Sequence, residues 1–118
     1  TDETIWVVDG TVLNIFGSSS GAAMTGSFNK RLITVVNASL HLRDVSVNFG
    51  SALVGGAIAA SASSLTLCQT SFVGNNAEGI GGALYLVDGS TVTFDGDTTT
   101  FYNNSAVGSG GAVYVGDG

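Results

Sequence analysis

The 118-residue sequence has no proline and a single cysteine, Cys68. One cysteine cannot build a disulfide-stapled mini-domain or a cysteine-rich zinc site. Basic residues are nearly as scarce. Lys30, Arg31 and Arg43 are the full set, set against nine acidic residues, and the formal net charge is −6. Such a chain lacks the cationic footprint that displaces counterions from nucleic acid, and an anionic membrane surface would repel it. No apolar run approaches the roughly 20 residues a membrane-spanning helix requires. Charged residues make up only 10 %, against a usual share of about 25 %, while hydrophobic residues reach 44 %. A disordered chain shows the opposite balance, so this one folds. Its polarity comes from Ser, Thr, Asn and 18 Gly, a palette suited to strands joined by tight turns.

What the sequence does have is repetition. Gly55-Gly56-Ala57-Ile58 returns as Gly81-Gly82-Ala83-Leu84 and as Gly110-Gly111-Ala112-Val113, in steps of 26 and 29 residues. Phe72-Val73-Gly74-Asn75 returns 29 residues later as Phe101-Tyr102-Asn103-Asn104, and Val8-Asp9-Gly10 matches Val87-Asp88-Gly89. Two sets of alternating triplets run through the whole chain. One is Leu13-Asn14-Ile15, Leu40-His41-Leu42, Leu65-Thr66-Leu67 and Val92-Thr93-Phe94. The other is Ile5-Trp6-Val7, Ile33-Thr34-Val35, Ile58-Ala59-Ala60, Leu84-Tyr85-Leu86 and Val113-Tyr114-Val115. Alternation of this kind marks strands with one buried face.

A unit of 25–29 residues holding only two or three short strands cannot bury its own apolar side. Stacking such units along an axis does so. No window carries the 3.6-residue period of a crossover helix, so the parallel pairing must come from a coil with short turns. The expected fold is all-β: a parallel β-helix, or solenoid, of about four to five rungs. Residues 1–118 are expected to form one unit, and the closing Gly110–Gly118 stretch, which opens another repeat, suggests a segment of a longer array. Residues 18–21 (Ser-Ser-Ser-Gly) read as a flexible insertion in the first rung.

Most conspicuous residues have a structural reading. The glycine pairs Gly55-Gly56, Gly81-Gly82 and Gly110-Gly111 precede an inward strand and suit corners; no phosphate-loop spacing is present. Asn75 and Asn104 occupy matching turns and are expected to form a rung-to-rung amide ladder, with Phe72 and Phe101 stacked beside them inside the coil. His41 falls in the outward column of Asn14, Thr66 and Thr93, with no nucleophile placed for a triad. Cys68 shares a column with Phe16, Arg43 and Asp95 and reads as an outward free thiol. Asp95-Gly96-Asp97, near Asp88 and Thr98, lacks the spacing of a calcium loop and reads as a polar turn. No catalytic residue, metal site or cofactor is assigned. Asn37-Ala38-Ser39 and Asn103-Asn104-Ser105 match the N-glycosylation sequon, relevant in a secreting eukaryote. Trp6, Tyr85 and Tyr114 share one outward column and form the candidate surface for a ligand or partner.

The Gly-Gly-Ala-(Ile/Leu/Val) and Phe-x-x-Asn motifs resemble the repeats of the chlamydial polymorphic outer membrane proteins, surface adhesins of the autotransporter class. The resemblance covers residues 55–118; residues 1–54 share only the alternation. It implies a right-handed β-helix without enzymatic activity, at the cell surface or outside the cell. On this reading the chain is a structural or adhesive repeat segment. Its partners would be further repeats, other surface proteins or glycans, with no nucleic acid and no membrane span. The alternative is a carbohydrate-binding or polysaccharide-active β-helix module. Three cationic side chains leave a polysaccharide enzyme little to work with, and paired carboxylates facing one cleft are not evident.

Overall fold

A computed structural model describes residues 5–17, 23–25, 30–94 and 99–116. The expected insertion at 18–21 and the Asp95–Asp97 turn lie outside these residues. The described chain contains strands and turns, and all strand pairing is parallel. The strands stack as a solenoid of about four turns, built on four sheets.

Sheet 1 collects β1 (Ile5–Val8), β4 (Ile33–Val36), β8 (Ile58–Ser61), β12 (Leu84–Val87) and β16 (Val113–Val115). Sheet 2 holds β2 (Val12–Phe16), β5 (Ser39–Arg43), β9 (Ser64–Cys68) and β13 (Thr91–Phe94). Sheet 3 holds β3 (Ala23–Thr25), β6 (Ser46–Asn48), β10 (Ser71–Val73) and β14 (Thr100–Tyr102). Sheet 4 holds β7 (Ser51–Val54), β11 (Asn76–Ile80) and β15 (Ser105–Ala106). A full rung therefore has four strands, not the two or three that alternation marks in the sequence. The triplet registers are those of the sequence: Ile33 pairs with Ile58 and Ile58 with Leu84, Leu40 with Leu65 and Leu65 with Val92.

Alternation explains the core. The inward members Ile33, Ile58 and Leu84 are fully buried and stack as one column, and Leu42 and Leu67 do the same in sheet 2. Phe72 is fully buried, and its ring stacks on Phe101 with centroids 5.0 Å apart and planes 8° from parallel. Each apolar side chain is thus covered by its own equivalent one rung away, about 4.8 Å along the axis. A single rung offers no such cover, which is why repetition and stability are inseparable here.

The corners explain the polar and glycine residues between the strands. Turning from one sheet to the next requires a residue in the left-handed region. Between sheets 4 and 1 it is Gly55, Gly81 and Gly110, with φ of 59°, 70° and 67°. Between sheets 1 and 2 it is Asp9, Asn37, Ala62 and Asp88 (φ 40–57°). Asp44 and Gln69 serve between sheets 2 and 3, and Phe49, Gly74 and Asn103 between sheets 3 and 4. Asn and Asp tolerate this region, whereas Ala and Phe are strained in it. The second glycine of the first two pairs, Gly56 and Gly82, answers a different need. A Cβ on Gly82 would collide with the carbonyl oxygen of Gly111, so the backbones pass too closely for any side chain.

These corners set a pair of opposite expectations. Ala62 is exposed and strained, so Ala62→Gly should raise stability by about 1 kcal/mol. Gly82→Ala should remove the cooperative transition altogether. Urea unfolding followed by circular dichroism distinguishes the two; a neutral Gly82→Ala would refute the close-approach account.

Candidate interaction surface

The outer face of sheet 1 carries the candidate column. Its outward positions pair in the order Trp6, Thr34, Ala59, Tyr85, Tyr114. Tyr85 and Tyr114 are half-buried, and their rings stack with centroids 5.6 Å apart and planes 10° from parallel. The stacking turns ring faces towards each other along the solenoid axis, leaving edges and hydroxyls for solvent. The pair is therefore a rung-to-rung ladder rather than a flat aromatic platform. Trp6 is 65 % exposed and lies three strands away from Tyr85.

Thr34 and Ala59 point outward between these aromatics, yet both are buried, at 7 % and 8 % exposure. Arg31 accounts for the cover of Thr34. Its Nη1 donates to Thr34 Oγ1 at 3.2 Å, and its Nε and Nη2 donate to the carbonyl oxygens of Val54 and Gly55 at 2.6–3.2 Å. Burial pushes the guanidinium below its usual range, though an arginine stays protonated at any ordinary pH. Arg31 immediately precedes Leu32, whose successor Ile33 aligns with Ile58, so it stands where the next rung has Gly56. The first rung thus replaces a glycine pair with Lys30-Arg31 and ties sheet 4 to sheet 1 through a side chain. Sequence reading gave Arg31 no role. The available signal was an arginine at a glycine position of the repeat.

The asparagine ladder is present in full geometry. The N–H of Gly50 donates to Asn75 Oδ1 at 2.8 Å, and the N–H of Asn75 donates to Asn104 Oδ1 at 3.0 Å. Asn75 Nδ2 donates both to the Val47 carbonyl and to Asn104 Oδ1, at 3.0 and 2.9 Å. Asn104 Nδ2 donates to the Phe72 carbonyl at 2.9 Å. Asn75 is completely buried, so each of these bonds replaces one that water would otherwise supply. A second ladder, of serines, was not read from the sequence. The N–H of Ala38 donates to Ser63 Oγ, and that of Ser63 to Ser90 Oγ, at 3.1 and 3.0 Å. Serine is too common in this chain for two positions 27 residues apart to stand out.

The remaining candidates are spread over different faces. Asn37 and Asn103 are exposed corner residues with φ of 53° and 56°, on separate corners. Asp88 is exposed and accepts a hydrogen bond from Ser61 Oγ at 2.6 Å. His41 is half-exposed between Asn14 and Thr66, and Cys68 is half-exposed beside Arg43. Arg43, His41, Thr66, Asn14, Phe16 and Cys68 line a shallow groove of about 150 Å³ on the outer face of sheet 2. Another, of about 240 Å³, follows the corner between sheets 1 and 2, past Gly10, Asn37 and Ser63. Among the described residues no three His, Cys, Asp or Glu side chains gather as a metal site, and no helix is long and apolar enough to cross a membrane.

The family model of the Chlamydia polymorphic membrane protein repeat matches residues 98–116. That stretch contains both Phe101-x-x-Asn104 and Gly110-Gly111-Ala112-Val113, the motifs that build the aromatic stack, the amide ladder and the glycine corner. No curated protein and no solved structure matches the chain.

Removing the ladder's central member should be costly. Asn75→Ala strands the Gly50 N–H in the interior and removes the amide link to Asn104, and should lower stability by about 3 kcal/mol. Asn75→Asp keeps the volume but loses both amide donors, and should be no better. Urea midpoints of the two variants check this; a wild-type midpoint for either would refute the role of the ladder.

Proposed function

We propose that this chain is a repeat segment of a larger cell-surface or extracellular protein, acting as a stiff, non-catalytic scaffold whose outer faces meet other molecules. The observation that carries the reading is the match of a surface-protein repeat to 98–116, a stretch that continues the strand register of the rungs before it. A second support is how the repeated residues are used. The glycines turn corners or let backbones approach, Phe72 and Phe101 fill the core, and Asn75 and Asn104 satisfy buried backbone. What recurs from rung to rung is thereby committed to architecture, and the outward residues, which differ between rungs, are available for recognition.

Adhesion is the form of recognition we favour. Outward apolar groups cluster on sheet 1, where Trp6, Val8 and Val36 are exposed beside the tyrosine pair, and exposed apolar patches mark contact sites. Because the tyrosines present edges and hydroxyls, a protein partner suits this face better than a stacked sugar ring.

Two measurements test the reading. Protease treatment of intact source cells should release fragments of the parent protein; full protection would rule out surface exposure. An extracellular-matrix array should show binding by the parent that falls at least tenfold in the Tyr85→Ser/Tyr114→Ser variant. Losing the stacked pair costs only about 1 kcal/mol of stability, so the fold survives. Absence of binding, with lateral or end-to-end assembly in electron micrographs, would point instead to a purely architectural protein.

A further inference from the structure

We propose that the groove on the outer face of sheet 2 binds the carboxylate-bearing ring of an acidic sugar. This goes beyond the scaffold reading and does not depend on where the protein resides.

The groove is built by register. Phe16 pairs with Arg43 and Arg43 with Cys68, while Asn14 pairs with His41 and His41 with Thr66. Alternation sends both columns outward, two residues apart on each strand. Three rungs and two columns make a floor of roughly 10 by 7 Å, the footprint of one pyranose ring. A hollow of about 150 Å³ sits on that floor.

Its chemistry is unusual for this chain. With a net charge of −6 and three Lys and Arg residues in all, a groove lined by Arg43 holds one of the chain's few cationic side chains. Arg43 is 60 % exposed, and its one ionic contact is loose: Nε lies 3.7 Å from Asp44 Oδ2, beyond hydrogen-bond distance. The two terminal nitrogens have no partner among the described residues, and they form the planar fork that matches a carboxylate bidentately.

The other walls suit a sugar rather than a bare acid. Phe16 is 64 % exposed, and no ring contact occupies it among the described residues, so its apolar surface is open to the C–H face of a pyranose. Asn14, Thr66 and His41 supply hydrogen-bonding groups for ring hydroxyls. An apolar wall with a few convergent polar groups and one charge is the usual make-up of a small-molecule site.

The test is a calorimetric titration of the protein with a galacturonate trisaccharide, its neutral galactose counterpart, and acetate. The acidic trisaccharide should bind at least tenfold more tightly than either of the others. Arg43→Gln should abolish that preference, and Phe16→Ser should weaken acidic trisaccharide binding about fivefold. Both residues are exposed, so circular dichroism and the urea midpoint should remain those of the unaltered protein. Equal affinity for the neutral sugar, affinity for acetate matching the uronate, or no detectable binding would each overturn the proposal. None of those results bears on surface exposure, which the protease experiment decides separately.

Discussion

Parallel, in-register stacking about 4.8 Å apart is the constraint from which the rest of this structure follows. Every residue meets its own equivalent on the next rung, so each column must tolerate itself. Apolar side chains do so readily, and Ile33, Ile58 and Leu84 show the result. Buried charge does not, and the interior of the described solenoid accordingly holds none. Asparagine is the polar side chain that tolerates repetition best, because an amide both donates and accepts. Asn75 and Asn104 use this to bridge rungs while accepting from the backbone N–H groups of Gly50 and Asn75 at the corner.

The same constraint governs the corners. A coil of four strands must turn sharply four times per rung, and stacking forces the turns into columns. Where backbones merely bend, Asn, Asp, Gln, Ala or Phe can occupy the left-handed position at some conformational cost. Where backbones also press together, as at Gly82, only glycine fits. The glycine pairs therefore report two separate demands, and Arg31 shows how the first rung departs from them. There, hydrogen bonds from one side chain to Val54 and Gly55 bridge the first two rungs.

Once core and corners are assigned, the outer faces remain, and they differ. Sheet 1 is apolar, with an aromatic pair at one end and Trp6 at the other. Sheet 2 carries Arg43 and a shallow groove. Because the solenoid holds its side chains on a rigid grid, recognition can be tuned face by face without disturbing the ladder inside.

The stacked, parallel character of the fold was legible in the amino-acid pattern. Alternating triplets and recurrent Gly-Gly-Ala and Phe-x-x-Asn motifs point to stacked parallel rungs, their step and their register, since a one-residue slip of a period-2 pattern would turn the core face outward. The amide ladder was legible too, because Asn75 and Asn104 sit at matching turn positions. The fourth strand was not legible. β7 and β11 lack clean alternation, and a register shift separates Ala77 from Ile80, so no periodic signal marks them. The covering of Thr34 by Arg31, the serine ladder and the edge-on presentation of Tyr85 and Tyr114 were also decided by tertiary structure alone. Each depends on where a side chain from one rung falls on the next, and a sequence pattern records which residues share a column but not which way their side chains lean.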